Sequence, residues 1–346
     1  MKRFGFLEES KKQLEAAGME VQIIDGVEPD PSIKTCIEGG KKLAEFGPDW
    51  IVALGGGSAM DAAKIMWVFY EYPDYDFYEL VKFNFPELRT KAKLICIPST
   101  SGTASEITAF SVITDSENHI KYPLVSSQIV PDIAIIDPAL PTTMPAKITA
   151  ATGMDVMTHA VEAYVSTAAD DYTDPLALHA IKLVINYLET AYNNPNDLES
   201  RIKMHDASTM AGMSFSNASL GIVHSMAHKI GGEFHLTHGE ANAIMLPYII
   251  DYNRKDTQKY AQLEGELGCD DIAEKVRQLN AKVGIASSIK ESKNTVISEA
   301  DFNSVLDLMS QRAFDDACTL TNPRKTSAED IKKIYTAAYY GTNVEF

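Results

Sequence analysis

The first part of the chain alternates short apolar runs with stretches of helical periodicity. The runs are Val21-Gln22-Ile23-Ile24, Ile51-Val52-Ala53-Leu54, Leu94-Ile95-Cys96-Ile97 and Ile133-Ala134-Ile135-Ile136. Apolar runs of this length without polar alternation read as strands covered on both faces. Between them, Lys11 to Gly18 is the end of a helix stopped by glycine. Asp30-Pro31 offers an N-cap and a first-turn proline for a helix running to about Phe46, and Ser58 to about Tyr70 is a further helix. This alternation predicts a parallel, doubly wound α/β sheet.

Near Pro145 the pattern changes. Almost no strand signals follow, and amphipathic stretches predict helices at about 147–166, 175–193, 197–218, 240–254, 270–283, 298–313 and 327–340. Two open with capping-box spacing, Ser298…Asp301 and Thr326…Glu329. The reading is therefore an α/β domain over residues 1–146 and an all-α domain over 147–346. Two domains also suit the length, since a single core stops growing at about 250–300 residues. With no low-complexity linker or repeat between them, the two are expected to share a cleft.

Charge and cysteine usage narrow the function classes. Lysine and arginine total 31 against 48 acidic residues, a formal charge of −17, which disfavours nucleic acid and anionic lipid as partners. No apolar run has the roughly 18 residues of a membrane-spanning helix. The opening Met1-Lys2-Arg3-Phe4-Gly5-Phe6 lacks the apolar region of a signal peptide. Cys36, Cys96, Cys269 and Cys318 lie far apart without CxxC spacing, so a cytoplasmic, reducing location is expected.

Gly55-Gly56-Gly57-Ser58 follows an apolar run and opens a helix carrying Asp61 and Lys64. Glycines let backbone N–H groups approach a ligand, and a helix N-terminus attracts negative charge, so diphosphate binding is the functional reading. It is neither GxGxxG nor a P-loop, and alone such a turn is more often a tight connection. Pro98-Ser99-Thr100-Ser101-Gly102-Thr103 follows the next run, at the carboxyl end of a neighbouring strand where open α/β sheets bind ligands. Asp25 could accept a ribose hydroxyl and repel a 2′-phosphate, although by itself a turn role is the commoner one. The three together favour a dinucleotide.

Five of the eight histidines fall at positions 159, 224, 228, 235 and 238, all in the helical half. Asp155 and His159 lie one helical turn apart, and His224 and His228 repeat that spacing. One carboxylate with two or three imidazoles suits iron(II) or zinc and leaves a coordination position for substrate. Spacing alone leaves open which imidazole stays outside the metal. His119, His179 and His205 are isolated and read as structural or surface residues. Met154, Met157, Met213 and Phe215 are apolar candidates near these motifs, a type more often core than pocket wall.

The sequence resembles the iron-containing (group III) alcohol dehydrogenases from about Gly18 to its end. The closest likeness is to the alcohol dehydrogenase half of bifunctional aldehyde-alcohol dehydrogenases and to butanol-type enzymes. Matching segments are Gly55-Gly56-Gly57-Ser58…Asp61…Lys64, Ser99-Thr100-Ser101-Gly102-Thr103, Gly153-Met154-Asp155…His159…Glu162-Ala163-Tyr164, His224 to Pro247, and Cys318-Thr319-Leu320-Thr321-Asn322-Pro323-Arg324. The resemblance implies a Rossmann-like nucleotide domain and a helical metal domain. It implies that Asp155, His159, His224 and His238 hold the metal, with His228 beside the nicotinamide. It aligns Gly56, Gly57, Ser58, Asp61, Ser99, Thr100 and Thr103 with cofactor-binding segments, Lys121 with a lysine near the nucleotide, and Asp25 with the acidic residue that favours NAD over NADP. Cys318 falls in a cleft-lining segment. Ala104 replaces a glycine common in the family, and the chain is expected to begin after the family's first β-strand, which would expose a sheet edge.

The implied activity is reversible hydride transfer between a primary alcohol or aldehyde and NAD, with iron, or alternatively zinc, as Lewis acid. Homodimers or larger homo-oligomers are implied as well. Two rivals stand beside this reading. One is a glycerol dehydrogenase-like or dehydroquinate synthase-like enzyme, although a sugar-phosphate site would want clustered cations and only Lys229 is near. The other is an N-terminally truncated, inactive copy that still binds metal.

Overall fold

The computed structural model describes residues 5–118 and 120–346; Met1–Phe4 of the opening segment and His119 lie outside the described residues. The chain divides into two units, Met1–Thr143 and Met144–Phe346. The first runs through α1 (Phe6–Ala16), α2 (Ile33–Phe46), β1 (Trp50–Gly55), α3 (Gly57–Glu71) and the short α4 (Phe77–Val81). It continues with β2 (Lys93–Pro98), β3 (Phe110–Asp115), β4 (Ile120–Val125) and β5 (Ile133–Ala134). β1, β2 and β5 form a parallel sheet in that order, with Ile51 opposite Leu94 and Ile95 opposite Ile133. A parallel pair needs a crossover, and α3, buried along most of its length, supplies it after β1.

Five details differ from the sequence reading. Val21 to Ile24 belongs to no strand, because apolar composition makes a strand only where a ladder partner lies alongside. Asp30 sits at positive φ, 55°, and the cap of α2 is Ser32, whose Oγ accepts from Thr35 N. β5 ends at Ala134, although Ile135 N still reaches Cys96 O at 3.0 Å. Burial along β1 alternates: Ile51 and Ala53 are buried, while Trp50 and Val52 are exposed, so one sheet face is only partly covered. The antiparallel hairpin β3–β4 was not foreseen. Lys64 pins it to α3, its buried ammonium donating to Thr108 O at 2.9 Å and Phe110 O at 2.7 Å.

The second unit is helical. It comprises α5 (Ala146–Val165), α6 (Thr173–Asn193), α7 (Leu198–Ala218), α8 (Ile222–Phe234), α9 (His238–Asn253), α10 (Lys259–Leu267), α11 (Ile272–Lys282), α12 (Glu299–Phe314) and α13 (Ala328–Tyr340). Ser298 caps α12 as expected, but α13 is capped one residue later than read. Ser327 and Asp330 form that capping box, since the Asp330 side chain rather than that of Glu329 reaches back to the N-cap N–H.

α5 packs against α6, α7 and α9, and every residue of it from Gly153 onward is buried. Small residues allow these close approaches. A Cβ on Gly153 would lie 2.3 Å from Leu188 Cδ1, and one on Gly239 would lie 2.2 Å from the Ala151 carbonyl oxygen. Polar side chains on so buried a helix need partners inside the protein.

Candidate metal centre

Asp155, His159 and Glu162 occupy one face of α5, spaced four and three residues apart. All three are buried. α8 begins at Gly221, which has no side-chain cap, and Glu162 takes that role from outside the helix: its Oε1 accepts Val223 N at 2.7 Å. Gly221 is needed for this approach, because a Cβ there would meet Glu162 Oε1 at 2.8 Å. The other carboxylate oxygen lies 2.5 Å from His224 Nδ1. Burial pushes the Glu162 carboxyl up to about 8, against the Val223, Gly221 and His224 backbone N–H groups that favour its charged form. Burial likewise drives the His224 imidazole well below its usual value, assisted by His159, His238 and His228. His224 is thus a neutral imidazole turned so that Nε2 points away from Glu162.

That nitrogen meets donors from two other helices. Asp155, His159, His224 and His238 each offer a ligand atom, and these atoms lie within 4.8 Å of one another. His238 Nε2 is 3.4 Å and His224 Nε2 3.8 Å from Asp155 Oδ1. Donors about 2.0–2.2 Å from a shared divalent ion stand roughly 3–3.5 Å apart, so the spacing fits an ion at their centre. The donor types, three imidazoles and one carboxylate, suit iron(II) or zinc. Asn242, one turn beyond His238 on α9, places Nδ2 2.7 Å from Asp155 Oδ1, 3.2 Å from His224 Nε2 and 3.1 Å from His238 Nε2.

The centre is closed on one side. The Phe215 ring stacks on His159 at 4.4 Å, and His159 stacks on His224 at 4.6 Å. The His238 side chain is 43% exposed, against 5% for Asp155, so access lies on the His238 side. His228 stacks on His238 at 5.4 Å and belongs to a separate cluster with Asp316 and Cys318. Met154 and Met157 are core residues, Met213 is exposed, and His205 is buried on α7. His179 is exposed on α6, and His235 ends α8 in the left-handed region at φ 57°.

In the first unit, Gly56, Gly57 and Ser58 open α3 at the carboxyl end of β1, beside the carboxyl end of β2 that leads into Ser99. Ser99 N donates to Gly55 O at 2.7 Å. A Cβ on Gly57 would lie 2.9 Å from the Thr103 side chain, and one on Gly56 3.3 Å from that of Thr100, so the two candidate segments touch. Asp61 accepts from Ser105 Oγ at 2.6 Å and Val112 N at 3.0 Å, tying α3 to the second segment and to β3. Lys121 pairs with Asp30 at 2.8 Å, and Asp25 is exposed directly after Ile24.

Sequence reading assigned no role to Glu162, Asn242 or Asp316. Glu162 extends the DxxxH pair by three residues on the same face, and Asn242 stands four beyond His238, so both left a local signal. Asp316 left none, being 88 residues from the imidazole it meets.

A glycine turn at the carboxyl end of a parallel sheet, together with a buried carboxylate–imidazole cluster in a helical unit, has the parts of a nucleotide- and metal-binding enzyme. The family model described as "Iron-containing alcohol dehydrogenase" matches residues 1–138, and that described as "Fe-containing alcohol dehydrogenase family, C-terminal" matches residues 149–339. The NADPH-dependent butanol dehydrogenase of Clostridium saccharobutylicum is 49% identical, over 100% of this chain and 91% of that protein. The aldehyde-alcohol dehydrogenase of Streptococcus pneumoniae (serotype 4) is 45% identical over 99% of this chain, which spans only 42% of that longer protein. The structure of the iron-containing alcohol dehydrogenase from Thermococcus thioreducens superposes with a TM-score of 0.91 at 37% identity, covering 99% of this chain and 90% of that one. The chain belongs to the iron-containing alcohol dehydrogenase family, and it interconverts alcohols and aldehydes. Among the described residues, no helix is long and apolar enough to cross a membrane.

Proposed function

We propose that the protein oxidises primary alcohols with NAD, reversibly, at a divalent metal held by Asp155, His159, His224 and His238. The observation that carries this reading is the convergence of those four donors from α5, α8 and α9 within 4.8 Å. When bound, the metal supplies Lewis acidity toward the substrate oxygen and the nicotinamide supplies the hydride acceptor. The residues do the rest. Asp155 brings the one negative charge among the four donors. Glu162 fixes His224 so that Nε2 faces the centre. Phe215 shields His159 from water. His228, beside His238, takes the alcohol proton at its imidazole and passes it to solvent.

Metal removal tests the centre. Protein stripped by a chelator is expected to lose alcohol-dependent NADH formation and to regain it with anaerobic iron(II). Failure of iron, zinc and manganese alike to restore turnover, across several short primary alcohols, would overturn the reading.

The NAD preference rests on Asp25, since an exposed carboxylate there repels a 2′-phosphate. The Clostridium relative is named for NADPH, so the preference is a sharp test. NADH is expected to give a higher kcat/KM than NADPH, and Asp25→Asn to narrow the gap by about tenfold, corresponding to roughly 1.4 kcal/mol. A wild-type preference for NADPH would refute the assignment. NADH fluorescence titration also separates an active enzyme from a copy that binds metal without nucleotide. All four cysteines are free thiols, which supports a reducing, cytoplasmic setting; a homo-oligomer is the assembly we propose with it.

A further inference from the structure

A proton acceptor works only if the correct ring nitrogen holds the lone pair. The His228 side chain is 37% exposed, and water alone would leave either nitrogen free to carry the hydrogen. We propose that Asp316 is a positioning residue that fixes His228 as the Nδ1–H tautomer, leaving the Nε2 lone pair for the substrate proton. This rests on the reading of His228 as proton acceptor.

Asp316 stands at the start of the 3-10 turn Ala317–Thr321, where its Oδ1 accepts Cys318 N at 3.0 Å. Its Oδ2 accepts the Lys229 ammonium at 2.7 Å and lies 3.3 Å from His228 Nδ1. An ionised carboxylate can only accept, so a hydrogen bond at that contact puts the hydrogen on Nδ1. The Cys318 amide and Lys229 grip the carboxylate from two sides, so its aim does not depend on the imidazole. Burial opposes the charge on Asp316, but the His228 and Lys229 contacts outweigh it and hold the carboxyl well below its usual range.

His228, Asp316 and Cys318 also offer ligand atoms within 4.8 Å of one another, the spacing of a cation site. Two of the three are already committed. The Lys229 ammonium sits on Asp316, and burial, followed by the charge of Asp316, raises the Cys318 thiol well above its usual value and keeps it protonated. The cluster is built as a hydrogen-bonded anchor for the imidazole.

Asp316→Asn separates the roles, because asparagine caps a helical turn about as well as aspartate. With its oxygen kept on the Cys318 amide, its amide nitrogen would take the place of Oδ2, releasing the Lys229 ammonium and facing His228 as a donor, which favours the opposite tautomer. In zinc-loaded protein labelled with 15N-histidine, NMR is expected to show His228 as Nδ1–H in the wild type and Nε2–H in Asp316→Asn. His228→Gln provides the assignment. Turnover is expected to fall about tenfold to a hundredfold in Asp316→Asn, with metal content and alcohol KM unchanged. A tautomer that does not change in Asp316→Asn, or a wild type already Nε2–H, overturns the role of Asp316. An inverted tautomer with undiminished kcat overturns the proton-acceptor reading of His228 on which it rests.

Discussion

His224→Ala is expected to lose bound metal and to cut alcohol oxidation by about a thousandfold or more. The size follows from what the residue holds. Lewis-acid stabilisation of a developing alkoxide is worth several kcal/mol, and each 1.36 kcal/mol is tenfold in rate. Removing the imidazole takes away one of four converging donors and leaves Glu162 Oε2 facing a void in a buried setting. The void has its own cost, about 1–3 kcal/mol for a buried acceptor that loses its partner. Circular dichroism and elemental analysis should therefore accompany the rate. A folded variant with less than one-tenth of the wild-type metal and negligible turnover is the expected outcome. The contrast is His228→Ala, which should keep its metal and lose about a hundredfold in turnover, the contribution typical of one proton-transfer group. If His228→Ala lost metal while His224→Ala retained it, the two imidazoles would have to exchange roles.

Gly239→Ala should be nearly as damaging without touching a donor atom. The new Cβ would lie 2.2 Å from the Ala151 carbonyl oxygen, and that neighbour is backbone of α5, which cannot rotate away. Either α9 or α5 must shift. His238 is the residue before the substitution and Asp155 is one turn beyond Ala151, so a shift at this contact separates two of the four donors. Overpacking of this kind costs about 1–3 kcal/mol and occasionally more. For a unit of this size each kcal/mol lowers the melting temperature by roughly 2–4 °C. A drop of about 5–10 °C together with weaker metal retention is expected from thermal unfolding and metal titration. A variant with unchanged melting temperature and full metal content would show that the α5–α9 contact tolerates more than its geometry allows.

What could be read from the sequence follows the range of each interaction. The Asp155–His159 and His224–His228 pairs declare themselves because a helical turn places them side by side whatever the tertiary structure. The helices of the second unit were legible for the same reason, α8 only through its histidine spacing and α10 not at all. Lys259 to Leu267 sets Tyr260, Leu263 and Leu267 at helical spacing, but nine residues are too short a stretch for the period to stand out. Pairing is a different matter. Val21 to Ile24 has the composition of a strand but no ladder, and Phe110 to Asp115 forms one despite polar Ser111 and Thr114. Partners distant in the chain were invisible for the same reason, Asp316 above all.

Asn242 changes what acquiring the ion costs. Its amide carries two hydrogens and has three acceptors within reach, Asp155 Oδ1, His224 Nε2 and His238 Nε2, so it can serve two of them at a time. A divalent ion serves all three and His159 as well. Asn242 and a cation thus compete for the same lone pairs. The observed dissociation constant measures the difference between two sets of partners, not the gross strength of four coordinate bonds.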